Sequence, residues 1–375
     1  MLSQNPNDVT EQIAMIDEDL LNKLRQKIDQ VDDSLLTLIS ERGRLAQEVA
    51  KAKGEPPKQG GYYRPDREAS ILRRILEQND GPLADEEMAR LFREIISACL
   101  ALEKPIKIAF LGPEGTFTQG AALKHFGHSI QTESFDAIDE VFREVEAGGC
   151  DYGVVPVENS IEGVINHTLD SFVRSPLKIC GEVALRIHHH LLTNEVDLVS
   201  CKKVIAHQQA LAQCRQWLNH NIPNSERVAV SSNAEAARQA AEVSGIAAIA
   251  SESAADLYGL KKLVSNIEDD SSNTTRFLII GMDEVPATGD DKTSLLFSTQ
   301  NKPGALFRTL AVFDQYHISM VKIESRPSRQ EMWDYLFFVD IEGHAENENI
   351  SKALGDLNDQ TAMLKVLGSY PKAVL

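Results

Sequence analysis

Residues 154–163 read Val-Val-Pro-Val-Glu-Asn-Ser-Ile-Glu-Gly, an apolar run that ends in a carboxylate, an amide and a hydroxyl. The apolar residues predict a buried β-strand, and Gly163 predicts a turn after it. Ligands of open α/β sheets bind beyond the strand ends, so polar side chains at such an end face a cleft. The stretch therefore predicts an α/β fold with Glu158, Asn159 and Ser160 at the mouth of a ligand cleft.

The composition limits the class of protein. The chain has 375 residues, a hydrophobic fraction of 42% and a formal net charge of -18. This length suffices for two or three domains, and the charge argues against nucleic acid or an anionic membrane as partner. Its 5 scattered cysteines disfavour disulfides and a zinc site, and no apolar run approaches the roughly 20 residues that cross a bilayer. We expect a cytoplasmic, multi-domain protein that binds no metal and needs no cofactor.

Residues 20–103 follow an N-terminal tail, residues 1–19, and carry the pattern of helices. Apolar residues spaced three and four apart predict one long helix with a heptad seam, formed by Leu21, Leu24, Ile28, Val31, Leu35, Leu38, Leu45 and Val49. Arg42 stands where this seam should be apolar, and Arg25 and Lys53 lie beside its ends. A buried guanidinium needs an anion, but snorkelling or pairing with a neighbouring Glu is the reading that this helix alone favours.

Two further helices are predicted in this region. A Pro/Gly-rich loop at residues 54–61 ends the first helix, and Pro-Asp-Arg-Glu at residues 65–68 begins the second. A third is predicted over about residues 85–103, with Phe92, Ile96 and Cys99 on one stripe. The next member of that stripe is Glu103, so a carboxyl group again stands where carbon is expected.

Residues 104–283 alternate short apolar strands with amphipathic helices, which predicts an α/β fold. The turn at residues 112–118, Gly-Pro-Glu-Gly-Thr-Phe-Thr, could hold a carboxylate or phosphate on backbone N–H groups, although an ordinary strand-to-helix turn is the favoured local reading. A strand at residues 203–207 leads into a helix that carries Gln213. Residues 271–276, Ser-Ser-Asn-Thr-Thr-Arg, precede a strand at 277–281.

Three consecutive histidines, His188, His189 and His190, suggest a metal site at first sight. In an extended chain the middle side chain faces away from its neighbours, and no acidic or cysteine ligand stands at a matching spacing. We therefore expect a structural role for all three.

Residues 291–375 form a small α+β unit after an acidic linker at residues 283–291. Strands are expected at 293–298, 318–323, 333–341 and near 363, with helices starting near residue 304 and spanning about 347–357. This βαββαβ order is the ferredoxin-like arrangement. The stretch Glu-Ser-Arg-Pro at 324–327 reads locally as a hairpin turn that closes the second strand.

All three regions resemble one family, the bifunctional chorismate mutase/prephenate dehydratases of phenylalanine biosynthesis. Residues 112–117 (GPEGTF), 155–160 (VPVENS) and 275–277 (TRF) resemble its dehydratase signatures. Residues 304–306 (GAL) and 324–327 (ESRP) resemble the effector motifs of its ACT domain. Several motif sets in the family's own order are far more specific than any one of them.

The resemblance implies a fold and an activity for each region. It implies an all-α mutase domain at residues 20–103, a two-lobed α/β dehydratase domain like that of periplasmic binding proteins at 104–283, and a ferredoxin-like ACT regulatory domain at 291–375. Chorismate would be rearranged to prephenate, and prephenate converted to phenylpyruvate. Phenylalanine would inhibit through the ACT domain, and the chain would form a homodimer or a higher homo-oligomer.

The resemblance also assigns mutase residues. It implies that Arg42 and Arg25 bind the two carboxylates of chorismate, with Arg25 reaching in from the partner subunit. Lys53 would donate to the ether oxygen, and Arg67 and Glu68 would support the substrate hydroxyl and the cationic network. Such a site suits a pericyclic reaction, which needs only a held conformer and charge stabilisation.

The sequence departs from the common family pattern at four places. Glu103 replaces a Gln that donates to the ether oxygen, and Cys99 replaces a Ser in the substrate site. Arg64 stands at an often acidic position, and Ala206 stands where many relatives have Ser. Because a carboxylate cannot donate a hydrogen bond, Glu103 can act like Gln only when it is protonated, so we expect mutase activity to fall as pH rises.

For the dehydratase, the resemblance implies that Thr275 is the essential hydroxyl and Arg276 its neighbouring cation. The other expected cleft residues are Glu158, Asn159, Ser160 and Gln213. The expected effector residues are Gly304, Ala305, Leu306, Glu324, Ser325, Arg326 and Pro327.

Two other functions would be compatible with parts of this pattern. A mutase fused to prephenate dehydrogenase would need a Gly-x-Gly-x-x-Gly turn for its nicotinamide, and the sequence has none. A non-catalytic bilobed solute-binding protein with an amino-acid sensor domain would not need Thr275.

Overall fold

The computed structural model describes residues 18–54, 63–299, 302–327 and 335–374. The chain divides into two compact units, Met1–Gly54 and Glu55–Leu375. None of the described helices is both long and apolar enough to span a bilayer.

In the first unit the described residues form one helix, α1, Glu18–Lys53. This confirms the long helix predicted from the heptad pattern. Its seam is exposed within the single chain: Leu24, Ile28, Val31, Leu35 and Leu38 have between 47% and 61% of their surface accessible. An apolar seam of this length needs a partner surface, because most of a helix's stability comes from packing its apolar face.

The second unit begins with the other two predicted helices, α2 (Pro65–Gln78) and α3 (Asp85–Ala101). They pack through a small core around Leu72, Ala89 and Ile96. Tyr63, just before α2, is inserted into the core of the following α/β region. Its hydroxyl is hydrogen-bonded to His125 Nε2 at 3.0 Å.

The α/β region follows in chain order. Its first part contains β1 (Lys107–Leu111), α4 (Phe117–Phe126), β2 (Gln131–Phe135), α5 (Ile138–Ala147), β3 (Tyr152–Asn159), β4 (Gly163–Val164), α6 (Asn166–Arg174) and β5 (Lys178–Arg186). Its second part contains β6 (His190–Thr193), β7 (Lys203–His207), α7 (Gln208–Gln213), α8 (Arg215–Asn221), β8 (Glu226–Val230), α9 (Asn233–Glu242), β9 (Ile246–Ala250), α10 (Glu252–Tyr258) and β10 (Lys261–Val264). It closes with β11 (Thr274–Gly281).

These strands form two sheets, which confirms the predicted two-lobed α/β fold. The first lobe has the order β2-β1-β3-β11-β5, with β4 paired to β3, and the second has the order β10-β6-β9-β7-β8. The chain crosses between the lobes twice, after β5 and before β11. Side chains near these crossings therefore lie between the lobes.

The strand predicted at residues 277–281 begins three residues earlier, at Thr274. Thr275 pairs with Asn159 and Arg276 with Glu158 across to β3. The threonines are β-branched and fit an extended strand once β3 supplies a partner. Thr275 and Arg276 are consequently strand residues whose side chains point to opposite faces of the sheet.

The C-terminal region is the predicted ferredoxin-like unit. It contains β12 (Asp291–Thr299), α11 (Ala305–Gln315), β13 (Met320–Pro327), β14 (Tyr335–Glu342), α12 (Glu348–Gln360) and β15 (Met363–Pro371). The antiparallel sheet order is β13-β14-β12-β15. The prediction of a turn at residues 324–327 was wrong, because these residues continue β13 in register with β14, with Arg326 opposite Leu336.

One face of this C-terminal sheet packs on its own helices, and the other packs on the first lobe. Leu296, Phe338 and Leu367 share a buried core with Leu278 of β11. The contact is close at Gly368, where a Cβ atom would collide with the carbonyl oxygen of Ile179 in β5. The first lobe and the C-terminal domain therefore share one packed core.

Candidate active site between the two lobes

A cavity of about 210 Å³ lies between the two lobes. Its polar lining residues are Thr118, Asn159, His189, Gln209, Gln213, Asn233, Asn273 and Thr275. Its apolar walls are Phe117, Pro156, Ile165, Ile187, Ala210 and Phe277. Within the described part of the chain, no lysine, arginine or carboxylate lines this cavity, so an anionic ligand in it would meet neutral donors.

Two strands bring Thr275 and Asn159 to the cavity. They are opposite each other in the β11–β3 pairing and are both buried, at 8% and 7% exposure. Asn159 Nδ2 donates to Thr275 Oγ1 at 2.8 Å and to Asn273 Oδ1 at 2.8 Å. This amide therefore links the end of β3 to the start of β11.

The orientation of the Asn159 amide follows from backbone groups. The N–H groups of Ile161 and Glu162 both donate to Asn159 Oδ1 at 3.0 Å. A backbone N–H can only donate, so Oδ1 must be the acceptor and Nδ2 the donor. Thr275 Oγ1 then accepts a hydrogen bond, which leaves its own proton available for another acceptor.

The same assignment extends to the second lobe. Asn273 Oδ1 accepts from Asn159, so Asn273 Nδ2 donates to Gln213 Oε1, at 3.1 Å. Gln213 Oε1 is also 2.9 Å from His189 Nε2, which must therefore carry a proton. His189 Nδ1 is then the unprotonated nitrogen, and it is buried without a hydrogen-bond partner among the described residues. Burial lowers the pKa of His189 below its usual value, which favours this neutral form.

His189 and Asn273 lie in the site, although the sequence motifs predicted neither of them there. The three histidines have different partners: His188 Nδ1 bonds Glu268 Oε1 at 2.8 Å, and His190 Nδ1 accepts from the N–H of Asn266 at 3.2 Å. Only His189 of the three lines the cavity. The sequence signal that could have indicated His189 is its position between the strands β5 and β6, where the chain crosses between the lobes.

Arg276 does not line the cavity, contrary to the expectation that it is the cation beside Thr275. Its Nε donates to Glu182 Oε2 at 2.8 Å, and its Nη1 donates to Asp340 Oδ2 of β14 at 2.6 Å. The physical reason is the alternation of side chains along β11. Because Thr275 faces the cavity, Arg276 faces the C-terminal domain.

Glu158 and Ser160 are also absent from the cavity lining. Glu158 Oε2 accepts from Lys322 Nζ of β13 at 2.7 Å. Ser160 Oγ accepts from the N–H of Thr274 at 3.0 Å and so holds the start of β11. Of the expected cleft residues, the lining includes Thr275, Asn159 and Gln213 and excludes Glu158, Ser160 and Arg276.

We call one group of ion pairs between the first lobe and the C-terminal domain the junction. It consists of Glu158, Glu182 and Arg276 from the lobe and Lys292, Lys322 and Asp340 from the domain. Lys292 Nζ donates to both carboxylate oxygens of Glu182, at 2.7 and 2.8 Å. Its three cations and three carboxylates balance, as buried charges require.

The expected mutase residues are divided between the two units. Arg25 and Arg42 lie on α1, and the side chain of Lys53 lies outside the described residues. In the second unit, Arg67 is exposed on α2 and Cys99 is buried on α3.

Two other expected mutase positions lie in the second unit. Glu68 is buried on α2, with an oxygen 3.5 Å from Arg93 Nε. Glu103 is partly buried just past the end of α3. Arg64 pairs with Asp66 through two hydrogen bonds of 2.9 and 2.7 Å.

The expected effector residues lie at two places in the C-terminal domain. Gly304 precedes α11 with φ of +75°, and Ala305 and Leu306 open that helix. Residues 324–327 end β13, where Arg326 Nη2 donates to both carboxylate oxygens of Asp170 in α6, at 2.9 and 3.0 Å. This strand therefore carries both an expected effector motif and two ion pairs to the first lobe.

Three family models match consecutive parts of the chain. They are described as chorismate mutase type II at residues 24–104, prephenate dehydratase at residues 108–285 and ACT domain at residues 293–359. Their order is the order of the three regions inferred from the sequence.

Similar proteins cover nearly the whole chain. A bifunctional chorismate mutase/prephenate dehydratase of Stutzerimonas stutzeri is 56% identical over 96% of this chain and 100% of its own length. That of Escherichia coli (strain K12) is 34% identical over 95% of this chain and 97% of its own length. These full-length matches do not favour the alternative of a non-catalytic solute-binding protein.

Two solved structures share the fold. Prephenate dehydratase from Arthrobacter aurescens, in complex with L-Phe, has a TM-score of 0.66 and 32% identity over 71% of this chain and 90% of its own. GqqA, described as a quorum-quenching acylase, has a TM-score of 0.66 and 28% identity over 72% of this chain and 98% of its own. The chain belongs to the family of bifunctional chorismate mutase/prephenate dehydratases, enzymes that rearrange chorismate to prephenate and then dehydrate and decarboxylate prephenate to phenylpyruvate.

Proposed function

We propose that prephenate is dehydrated in the cavity between the lobes, with Thr275 as hydrogen-bond donor to the ring hydroxyl. The observation that carries this proposal is the bond from Asn159 Nδ2 to Thr275 Oγ1, which turns the threonine proton toward a different acceptor. The ring hydroxyl leaves as water with a proton that the Thr275 hydroxyl passes to it and regains from solvent, and the ring carboxylate leaves as carbon dioxide. The electron pair of the broken carbon–carbon bond completes the aromatic ring.

We propose that neutral donors, and not Arg276, bind the carboxylates of prephenate. The amide of Gln213 lies in the cavity wall, and Phe117 and Thr118 begin α4, whose N-terminal N–H groups favour an anion. The aromatic walls Phe117 and Phe277 exclude water, which strengthens each such hydrogen bond.

The test of this site uses Thr275→Ala and Thr275→Ser. Formation of phenylpyruvate from prephenate is followed by ultraviolet absorbance, and formation of prephenate from chorismate is measured in the same preparation. We expect Thr275→Ala to abolish dehydratase turnover and spare the mutase, while Thr275→Ser, which keeps the hydroxyl, retains part of it. Equal loss of both activities would contradict separate sites.

For the mutase, we propose the family assignment for Arg25, Arg42, Lys53, Arg67, Glu68, Cys99 and Glu103. Its support is the match of residues 24–104 to the chorismate mutase type II family and the exposed seam of α1. We propose that the seam packs on α1 of a second copy, so that Arg25 completes the partner's site. Sedimentation as a monomer under mutase assay conditions would contradict this homodimer.

For regulation, we propose that phenylalanine binds at residues 304–306 and 324–327 and inhibits the dehydratase. The Arthrobacter aurescens relative was solved with L-Phe, which supports this effector. The ion pairs of Lys322 and Arg326 provide a route from β13 to the first lobe, because Glu158 directly precedes Asn159. Dehydratase turnover that is unchanged by phenylalanine would contradict this proposal of inhibition.

We also propose a cytoplasmic location and the domain boundaries 20–103, 104–283 and 291–375. All the cysteines, Cys99, Cys150, Cys180, Cys201 and Cys214, are buried free thiols, as suits a reducing compartment. Recovery of the protein in the periplasmic fraction after cell fractionation would contradict a cytoplasmic location.

A further inference from the structure

We infer that His189 is a positioning residue of the dehydratase site, which holds the Gln213 amide with its NH₂ group turned toward a carboxylate of the substrate. This inference rests on the proposed placement of the dehydratase reaction in the cavity between the lobes. His189 is 2% exposed and lines that cavity beside Gln213.

A site without lysine or arginine must control the orientation of its amides. A glutamine side chain can present either its NH₂ group or its carbonyl oxygen at the same place, because the two differ little in shape. Only the NH₂ orientation attracts a carboxylate, while the other places two acceptors against each other. A pocket that binds a dianion through neutral groups therefore needs something to fix the amide.

Two donors fix Gln213. Its Oε1 accepts from His189 Nε2 at 2.9 Å and from Asn273 Nδ2 at 3.1 Å. If the amide were reversed, its NH₂ group would face two N–H donors. In the observed orientation Gln213 Nε2 has one long contact, 3.5 Å to Glu162 Oε1, and retains capacity to bind a ligand.

The surroundings of His189 hold its ring in place. The backbone N–H of His189 donates to Glu268 Oε2 at 2.9 Å. The Phe117 ring packs edge-to-face on the imidazole, with centroids 5.6 Å apart. The first contact fixes the backbone of His189 and the second packs on its ring, whose Nε2 points at Gln213.

The protonation state of His189 agrees with this role. Donation to Gln213 requires the tautomer with the proton on Nε2, which leaves Nδ1 buried without a hydrogen-bond partner among the described residues. Such an unsatisfied atom is unusual in a purely structural histidine, whose two nitrogens are normally both paired. In this site the Nδ1 atom of His189 stays without a partner among the described residues, while its Nε2 atom orients the Gln213 amide.

The test compares His189→Gln with His189→Leu. The glutamine Nε2 can reach the place of the imidazole Nε2 and donate to Gln213, whereas leucine fills similar space without a donor. We expect His189→Leu to raise KM for prephenate about 10- to 100-fold with a smaller change in kcat, as loss of a hydrogen bond to a charged group predicts. We expect His189→Gln to recover most of this loss.

A second measurement separates positioning from support of the fold. If His189 acts through Gln213, the double variant His189→Leu/Gln213→Leu should lose no more dehydratase activity than Gln213→Leu alone. Mutase turnover and the melting temperature of the same preparations report whether each variant is folded. Additive losses, or a His189→Gln variant as impaired as His189→Leu, would overturn the inference.

The outcome for Thr275 separates this inference from the proposed site. Thr275→Ala with full dehydratase turnover would overturn the site itself. Thr275→Ala without turnover, together with a His189→Leu variant of unchanged KM and kcat, would overturn only the role of His189.

Discussion

The Arg276 guanidinium donates a hydrogen bond to the Asp340 carboxylate at 2.6 Å, across the boundary between the dehydratase domain and the ACT domain. The residue before it, Thr275, faces the cavity on the opposite side of the same strand. In the partner strand, Asn159 faces the cavity and Glu158 pairs with Lys322 of the ACT domain. The ACT domain thus contacts the reverse side of the two strands that carry the proposed site.

Arg276→Gln tests the structural part of the junction. The change leaves the Glu182 and Asp340 carboxylates with less compensation in a buried setting, and breaking one partner of a buried ion pair costs about 3 to 5 kcal/mol. We expect a clearly lower melting temperature and reduced dehydratase turnover. Arg143→Gln is the matched control, because Arg143 forms an exposed pair with Asp139 that contributes about 1 kcal/mol or less. Equal melting temperatures for the two variants would contradict the prediction.

Lys322→Met tests the route of inhibition. Methionine keeps the unbranched side chain but removes the ion pair with Glu158. We expect phenylalanine to inhibit dehydratase turnover only at a several-fold higher concentration, because allosteric coupling is typically about 1 to 3 kcal/mol. Lys352→Met, which removes an exposed pair with Glu348 on the far helix α12, should leave the inhibition curve unchanged. The same inhibition in both variants would exclude Lys322 from the coupling.

Glu103→Gln tests how the mutase uses a carboxyl group where the family resemblance implies an amide. Glutamine donates a hydrogen bond at every pH, whereas Glu103 donates only when it is protonated. We therefore expect wild-type mutase kcat to fall as pH rises and the Glu103→Gln profile to be flatter, with higher activity above neutral pH. Dehydratase turnover of the same protein provides the control. Superimposable mutase profiles would refute the hypothesis.

His125 makes folding stability depend on pH. Burial, together with the nearby Arg93 cation, lowers the pKa of His125 from 6.5 to about 3. The unfolded chain therefore binds a proton below pH 6.5 that the folded chain does not. Titration of His125 therefore leaves the free energy of unfolding unchanged above pH 6.5. As pH falls from 6.5 toward 3, this free energy decreases by about 1.4 kcal/mol per pH unit.

His125→Leu should remove this part of the pH dependence. The variant also loses the hydrogen bond with Tyr63 and should be less stable at neutral pH. Denaturant unfolding between pH 7 and pH 4.5 should nevertheless give a shallower slope than the wild type, by up to one proton. Parallel slopes would show that His125 is accessible to protons in the folded protein.

The helical and strand patterns could be predicted because they depend on neighbours in the chain. The heptad spacing of α1, the strand before Glu158 and the βαββαβ order are written in periodicities of a few residues. The start of β11 could not be found in this way. Thr274–Arg276 are extended because they pair with Asn159 and Glu158, more than one hundred residues earlier, and that pairing decides which side chain faces the cavity.

The sequence by itself determined the regions, their order and the motifs that place Thr275, Asn159 and Gln213 near one site. Only the tertiary structure decided that Arg276 and Glu158 face the ACT domain and that His189 faces Gln213. The physical reason is that the role of a polar side chain is set by its hydrogen-bond partner, which here belongs to another strand, lobe or domain. Local patterns record where a side chain stands along the chain, but its partner is chosen when distant segments pack together.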